Sequence, residues 1–335
     1  MAIIVGGIAA SHGPLLSVSP ALWHLRAGAD RKNGAHWFRG QSHDYASLLA
    51  HRQPGFDSKV EVSHQQVAHG DCQRALDRLA QRFDDFRADY AVIVGNDQRE
   101  VFGAELTPSL LVYTGATVEN IPLTPERRAM LPPGIAEAED GHCPPEGARY
   151  QGLPDEANAL AGLLADQGFD IATSASLPRH VERQEGVPHA FGFIYRRIMR
   201  DQPPPTIPIF VNVGVPPNQV RVPRALQFGR ALAQALRGLP GDARVVLIAS
   251  GGLSHFVVDE ALDLQVMAAL DPLDTKTIES IPETHFQGNT AEIKSWLVVA
   301  AAMQTAGLHV EHADYTPCYR TPAGTGSGMG FVAWS

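Results

Sequence analysis

The pattern of apolar and polar positions switches between two periods along the chain. Continuous apolar runs at Ile3 to Ala10, Tyr90 to Gly95, Thr206 to Val213 and Ala243 to Ser250 read as strands buried on both faces. Shorter runs at Leu110 to Tyr113 and Phe169 to Thr173 add two more. Between them apolar residues recur at helical spacing. Val67, Cys72, Ala75, Leu76, Leu79 and Phe83 mark one helix within His64 to Phe86. Pro154 to Gln167, Ala190 to Met199, Val222 to Leu236 and a late helix opening at Asn289 follow the same rule, with short helices near Ala21 to Ala27 and Tyr45 to His51. Residues 120–152, rich in Pro, Gly and Glu, read as a long surface excursion, and the stretch beyond Thr305 as a Pro/Gly-rich tail. Strands alternating with helices predict an α/β fold: a central, mostly parallel mixed sheet flanked by helices. No repeat or linker divides it, so residues 1–335 are read as a single domain.

Composition narrows the function. The chain has 335 residues, 44% of them hydrophobic, and a formal net charge of −9 with no basic block, so no nucleic-acid partner is expected. Cys72, Cys143 and Cys318 are far apart and form no CxxC pair, which suits a reducing cytoplasm. The apolar N-terminus carries no basic leader and is too short to span a bilayer, so no membrane association is expected. The unusual total is 14 histidines, and position must decide which of them matter.

Neither GxGxxG nor GxxxxGK[ST] follows the first strand, which lowers dinucleotide and P-loop chemistry. In open α/β sheets sites form beyond the carboxyl ends of the strands. Three polar clusters lie there: SHGP with His12, NDQ with Asn96, Asp97 and Gln98, and SGGLSH with His255. Each histidine alone could be a mere capping group; convergence on one edge would mean more. His64 and His69 lie early in the helix leading into the Tyr90 strand and could face the same cleft. Glu292, at the start of the late helix, is explained by the helix dipole alone, or else is a metal carboxylate with Trp296 packed one turn below. Two histidines and a carboxylate from separate elements suit a facial triad for Fe(II) with positions left open.

The order SHGP, NDQ, PHAFGF, SGGLSH, AEIKSW and YRTPAGTGSGMGFVAW resembles the class III extradiol ring-cleavage dioxygenases, the superfamily of the protocatechuate 4,5-dioxygenase beta subunit. GIAASHGPLL, HGDCQRAL and VIVGNDQ look most like its 3-O-methylgallate branch. The resemblance implies a non-haem Fe(II) enzyme that opens a catechol-type aromatic acid, 3-O-methylgallate, gallate or protocatechuate-like, with O2, as in the catabolism of lignin-derived aromatics. It carries over His12 and Glu292 as metal ligands, and His255 and His189 as the catalytic proton-handling pair. Two departures stand out. Asp-His-Gly in many members is Pro188-His189-Ala190 here, and Asn-Asp-His at the second strand end, whose histidine is a ligand, is Asn96-Asp97-Gln98. Gln98 could ligate through its oxygen, His69 or His64 could replace the lost nitrogen, or the site could be vestigial. The adopted expectation is His69 as ligand with Gln98 hydrogen-bonding nearby. Arg320, Tyr319 and Arg99 are the expected substrate contacts. Two rival readings stay open: a metal-binding interaction protein on the same fold, and a Zn-dependent hydrolase. Oligomeric state is also open, and the tail suggests that the chain works without a small partner subunit.

Overall fold

The computed structural model describes residues 1–178 and 186–335. Thirteen strands occur among them. In chain order these are β1 (Ile3–Ala10), β2 (His36–Phe38), β3 (Gln41–His43), β4 (Tyr90–Gly95), β5 (Leu110–Tyr113), β6 (Thr117–Asn120) and β7 (Ala148–Gln151). The rest are β8 (Ala172–Ser174), β9 (Thr206–Val211), β10 (Arg244–Ser250), β11 (His255–Val257), β12 (Val310–Tyr319) and β13 (Thr325–Trp334). Nine of them form one sheet in the order β11-β13-β1-β10-β4-β9-β5-β8, with β12 on the other side of β13. β1, β10, β4 and β9 run parallel, whereas β13 is antiparallel to β1.

Alternation along the strands feeds two cores. Val245, Leu247 and Ala249 of β10 join one with the helices Val222–Gly238 and Ile293–Ala306. Val246 and Ile248 point to the other, which holds the helix Val62–Phe86 and the turns His189–Ile198. Both faces being covered explains why the parallel strands read as unbroken apolar runs. The helices Val222–Gly238 and Ile293–Ala306 touch closely at Gly229, where a Cβ would stand 2.0 Å from the Val298 carbonyl oxygen.

Register sets up the site. Ala10 pairs with Ser250, Ala249 with Val94, and Gly95 with Phe210, so β1, β10, β4 and β9 end at one level. Two sequence readings gain detail. The stretch after Thr305 is a long hairpin whose second strand, β13, is buried throughout and lies against β1. Its glycines are read there as close packing: a Cβ on Gly330 would meet Trp296 at 2.7 Å. The 120–152 segment begins and ends beside the β6–β7 hairpin, carries the short helix Pro125–Met130, and folds back over the sheet edge.

Candidate active site

His12 follows β1 and is 5% exposed. Its Nδ1 lies 2.9 Å from Ser250 Oγ. The Ser250 hydroxyl donates to the Ala190 carbonyl at 2.5 Å, so its oxygen is left to accept the Nδ1 proton. That relay leaves a lone pair on His12 Nε2, which has no hydrogen-bond partner and sits 3.3 Å from Glu292 Oε2. His255 repeats the design. Its Nδ1 lies 2.7 Å from the Leu253 carbonyl, which can only accept, and its Nε2 lies 3.4 Å from the same Glu292 oxygen. Thr290 Oγ1 accepts from the His255 backbone N at 3.1 Å and donates to its carbonyl at 3.0 Å, holding the loop.

Glu292, 1% exposed, stands at the joint between a 3-10 turn and the helix Ile293–Ala306. Gly252 N donates to its Oε2 at 2.6 Å; Asn96 Nδ2, at 3.3 Å, and the Gln98 amide donate to its Oε1. The close approach requires glycine at 251, since a Cβ there would meet the Glu292 carbonyl oxygen at 2.9 Å. Burial pushes the Glu292 carboxyl up, but His12 and His255 outweigh it and hold it well below the usual range. Burial lowers His12, whereas at His255 the Glu292 charge overcomes burial and raises the imidazole.

His189 opens the turn after Pro188, and its ring meets that of His12 edge-on, 4.7 Å between centroids. Both its Nδ1 and its backbone N, the latter at 2.9 Å, are held by the Glu100 carboxylate. Burial acts downward, but Glu100 prevails and raises His189 to about 9, so it is an imidazolium at neutral pH. His142 lies beyond it, with ring centroids 5.9 Å apart, and its Nε2 is 3.5 Å from Glu139.

These groups share a cavity of about 400 Å³, within the usual size of a small-molecule site. Its other wall comes from the 120–152 segment. A smaller cavity of about 260 Å³ meets it at Gln98, Asn289 and Glu292.

The structure therefore brings together His12, Gln98, His189, His255 and Glu292. It does not bring His69. That side chain contacts Gln73 and the Trp23 ring, and His64 is exposed. The reason is length: the helix Val62–Phe86 has 25 residues, roughly 37 Å, whereas the six residues of β4 span about 20 Å. Its first turns overshoot the sheet edge. Arg320 is also elsewhere, in a buried pair with Asp30 at 2.7 Å. Tyr319 donates to Glu260 and stacks on Phe56, and Arg99 lines only the smaller cavity. Sequence reasoning missed Glu100, Ser250, Glu139, His142 and Arg127. Glu100 adjoins, and Ser250 opens, a motif already singled out; the other three lie in the segment read as surface.

Two imidazole Nε2 atoms facing one buried anionic oxygen need a cation among them, a proton or a metal ion. This fits a metal, and the donor chemistry is nitrogen and carboxylate. Among the described residues no group of three His, Cys, Asp or Glu side chains is placed to hold a metal ion by itself. The strand-end position that would complete one is Gln98, whose amide donates to the carboxylate.

The family described as "Catalytic LigB subunit of aromatic ring-opening dioxygenase" matches residues 111–326, a span that contains His189, His255 and Glu292. Three relatives carry the name 2,3-dihydroxyphenylpropionate/2,3-dihydroxicinnamic acid 1,2-dioxygenase. That of Comamonas testosteroni is 31% identical over 279 residues, 83% of this chain and 70% of the relative. That of Mycobacterium sp. (strain MCS) is 37% identical over 118 residues, 35% and 34% of the two chains. That of Photorhabdus laumondii is 28% identical over 202 residues, 60% and 52%. Because the family model matches residues 111–326 and the Comamonas relative is 31% identical across 83% of this chain, the chain belongs to the LigB family of aromatic ring-opening dioxygenases, enzymes of the extradiol class.

Proposed function

We propose that this chain binds a catechol-type aromatic acid in the larger cavity and opens its ring beside the two hydroxyls with O2, using non-haem Fe(II). The observation that carries the reading is the Glu292 carboxylate faced by the Nε2 atoms of His12 and His255, with His189 alongside, held by Glu100. His12 and Glu292 would hold the ion, and the Gln98 and Asn96 amides already donate to that carboxylate. Bound there, Fe(II) would bring both reactants together and pass electrons from the catechol ring, which is oxidised, to O2.

The chain's own groups handle protons. His255 Nε2 carries a lone pair and takes the proton of a substrate hydroxyl, and the Glu292 charge favours the imidazolium that results. His189 donates: Glu100 keeps it charged and orients its ring, a partner reached across 89 residues where many relatives have a neighbouring aspartate. Phe193 and Phe256, on the cavity wall, exclude water from the ring.

The test is anaerobic reconstitution with Fe(II), then O2 uptake and the absorbance of the ring-fission product. Substrates are 3-O-methylgallate, gallate, protocatechuate and 2,3-dihydroxyphenylpropionate, the last named for the relatives above. Stoichiometric uptake with one of them is expected. Bound iron with no uptake from any catechol would sink the reading in favour of an interaction protein, and hydrolytic activity with Zn(II) alone would replace it.

A further inference from the structure

The larger cavity is bigger than a diol ring requires. An apolar cavity of about 150 Å³ already holds benzene. The space here is about 400 Å³, which leaves more than half for a substituent. The wall from the 120–152 segment is apolar at Leu123, Leu131, Ile135 and Ala138. Arg127, on the short helix Pro125–Met130, is the one lysine or arginine on this cavity among the described residues.

Its neighbour gives the contrast. Arg128 is used up inside the segment, donating from Nε to the Ala136 carbonyl at 3.1 Å and from Nη1 to Asp140 at 2.9 Å. No such hydrogen bond or ion pair holds the Arg127 guanidinium among the described residues; only its backbone N is engaged, by Thr124. The carboxylates on the same cavity each face a histidine: Glu292 has His12 and His255, Glu100 has His189, and Glu139 has His142. Arg127 is therefore the cation whose charge is left for a ligand. It replaces Arg320 and Tyr319, which are engaged inside the fold by Asp30 and Glu260.

We propose that Arg127 determines substrate specificity by binding a carboxylate that the substrate carries on a short apolar arm, the arm lying on Leu123, Leu131 and Ile135. This rests on the catechol reading above and adds to it the position of the anion: away from the ring rather than on it. A planar guanidinium fork suits a carboxylate through two parallel hydrogen bonds.

The test compares a catechol bearing a propionate arm with its methyl ester, in the wild type and in Arg127→Gln and Arg127→Lys. The wild type is expected to prefer the acid. Arg127→Gln should raise KM for the acid about ten-fold or more and leave kcat within about two-fold. KM for the ester should not move, and Arg127→Lys should recover part of the loss. An equal loss on acid and ester, or none on either, overturns the proposal. Calorimetry with 3-phenylpropionate, which has no hydroxyls to react, separates this from the catalytic reading. Binding to the wild type that Arg127→Gln abolishes supports the assignment even if no catechol is turned over. Equal binding to both, or no binding to the wild type, overturns it.

Discussion

Glu100 sets the charge on His189, and the consequence is measurable. Because Glu100 outweighs burial, His189 stays protonated up to about 9. A step that needs this proton is fully served below that pH and is lost as pH rises through it. Glu100→Gln leaves burial dominant, so the alkaline limb of the kcat profile should move down by more than one unit. At pH 8 that is a loss of roughly ten-fold or more. An unmoved limb would remove His189 as the acid. The second residue-scale expectation concerns Gln98. Its φ of +46° is a conformation that histidine adopts more readily than most side chains. Gln98→His should restore an imidazole beside Glu292 and tighten Fe(II) binding, read by anaerobic metal titration. Unchanged or weaker affinity would show that position 98 does not face the ion. The identity of Gln98 was plain in the sequence. Its role was not, because an amide can serve as oxygen ligand or as N–H donor, and only the neighbouring carboxylate tells which.

At the scale of elements, the site depends on how the strand ends are trimmed and fastened. The SGGLSH turn after β10 approaches the start of the helix Ile293–Ala306 so closely that Trp296 Nε1 donates to the Gly251 carbonyl at 2.9 Å. Trp296→Phe removes this buried bond and should cost about 1–3 kcal/mol in denaturant unfolding. Gly251→Ala forces a methyl against Glu292 backbone, so it should weaken metal binding more than it lowers stability. A folded variant with normal iron content would contradict the proposed tightness of the turn. The strands β1, β4, β9 and β10 were legible because both faces are buried and the sequence shows it. The helix Val62–Phe86 was legible too, from its apolar spacing, but its overshoot past the sheet edge was not, since spacing carries no information about where a helix begins relative to a neighbouring strand. His69 was misjudged for that reason.

At the scale of the whole molecule, residues far apart in the chain close the structure around the site. Arg320, on the stretch between β12 and β13, pairs in the interior with Asp30 of the helix Trp23–Lys32, and Thr325 Oγ1 donates to the same carboxylate at 2.7 Å. Arg320→Met strands that buried carboxylate. It should cost on the order of 3–5 kcal/mol, seen as a lower melting temperature, with KM of the folded fraction unchanged. A raised KM at full stability would return Arg320 to the substrate. By itself the sequence determined the α/β class and the strands that carry the site, because apolar runs are local signals; its motifs nominated His12, His255 and Glu292, and the family resemblance added His189. Only the tertiary structure decided the partners: Glu100 for His189, Ser250 for His12, Asp30 for Arg320, and Arg127 on the cavity wall. Such pairings are set by strand order, register and the folding-back of a polar segment, and those are properties of contacts between distant parts of the chain that no short stretch of sequence records.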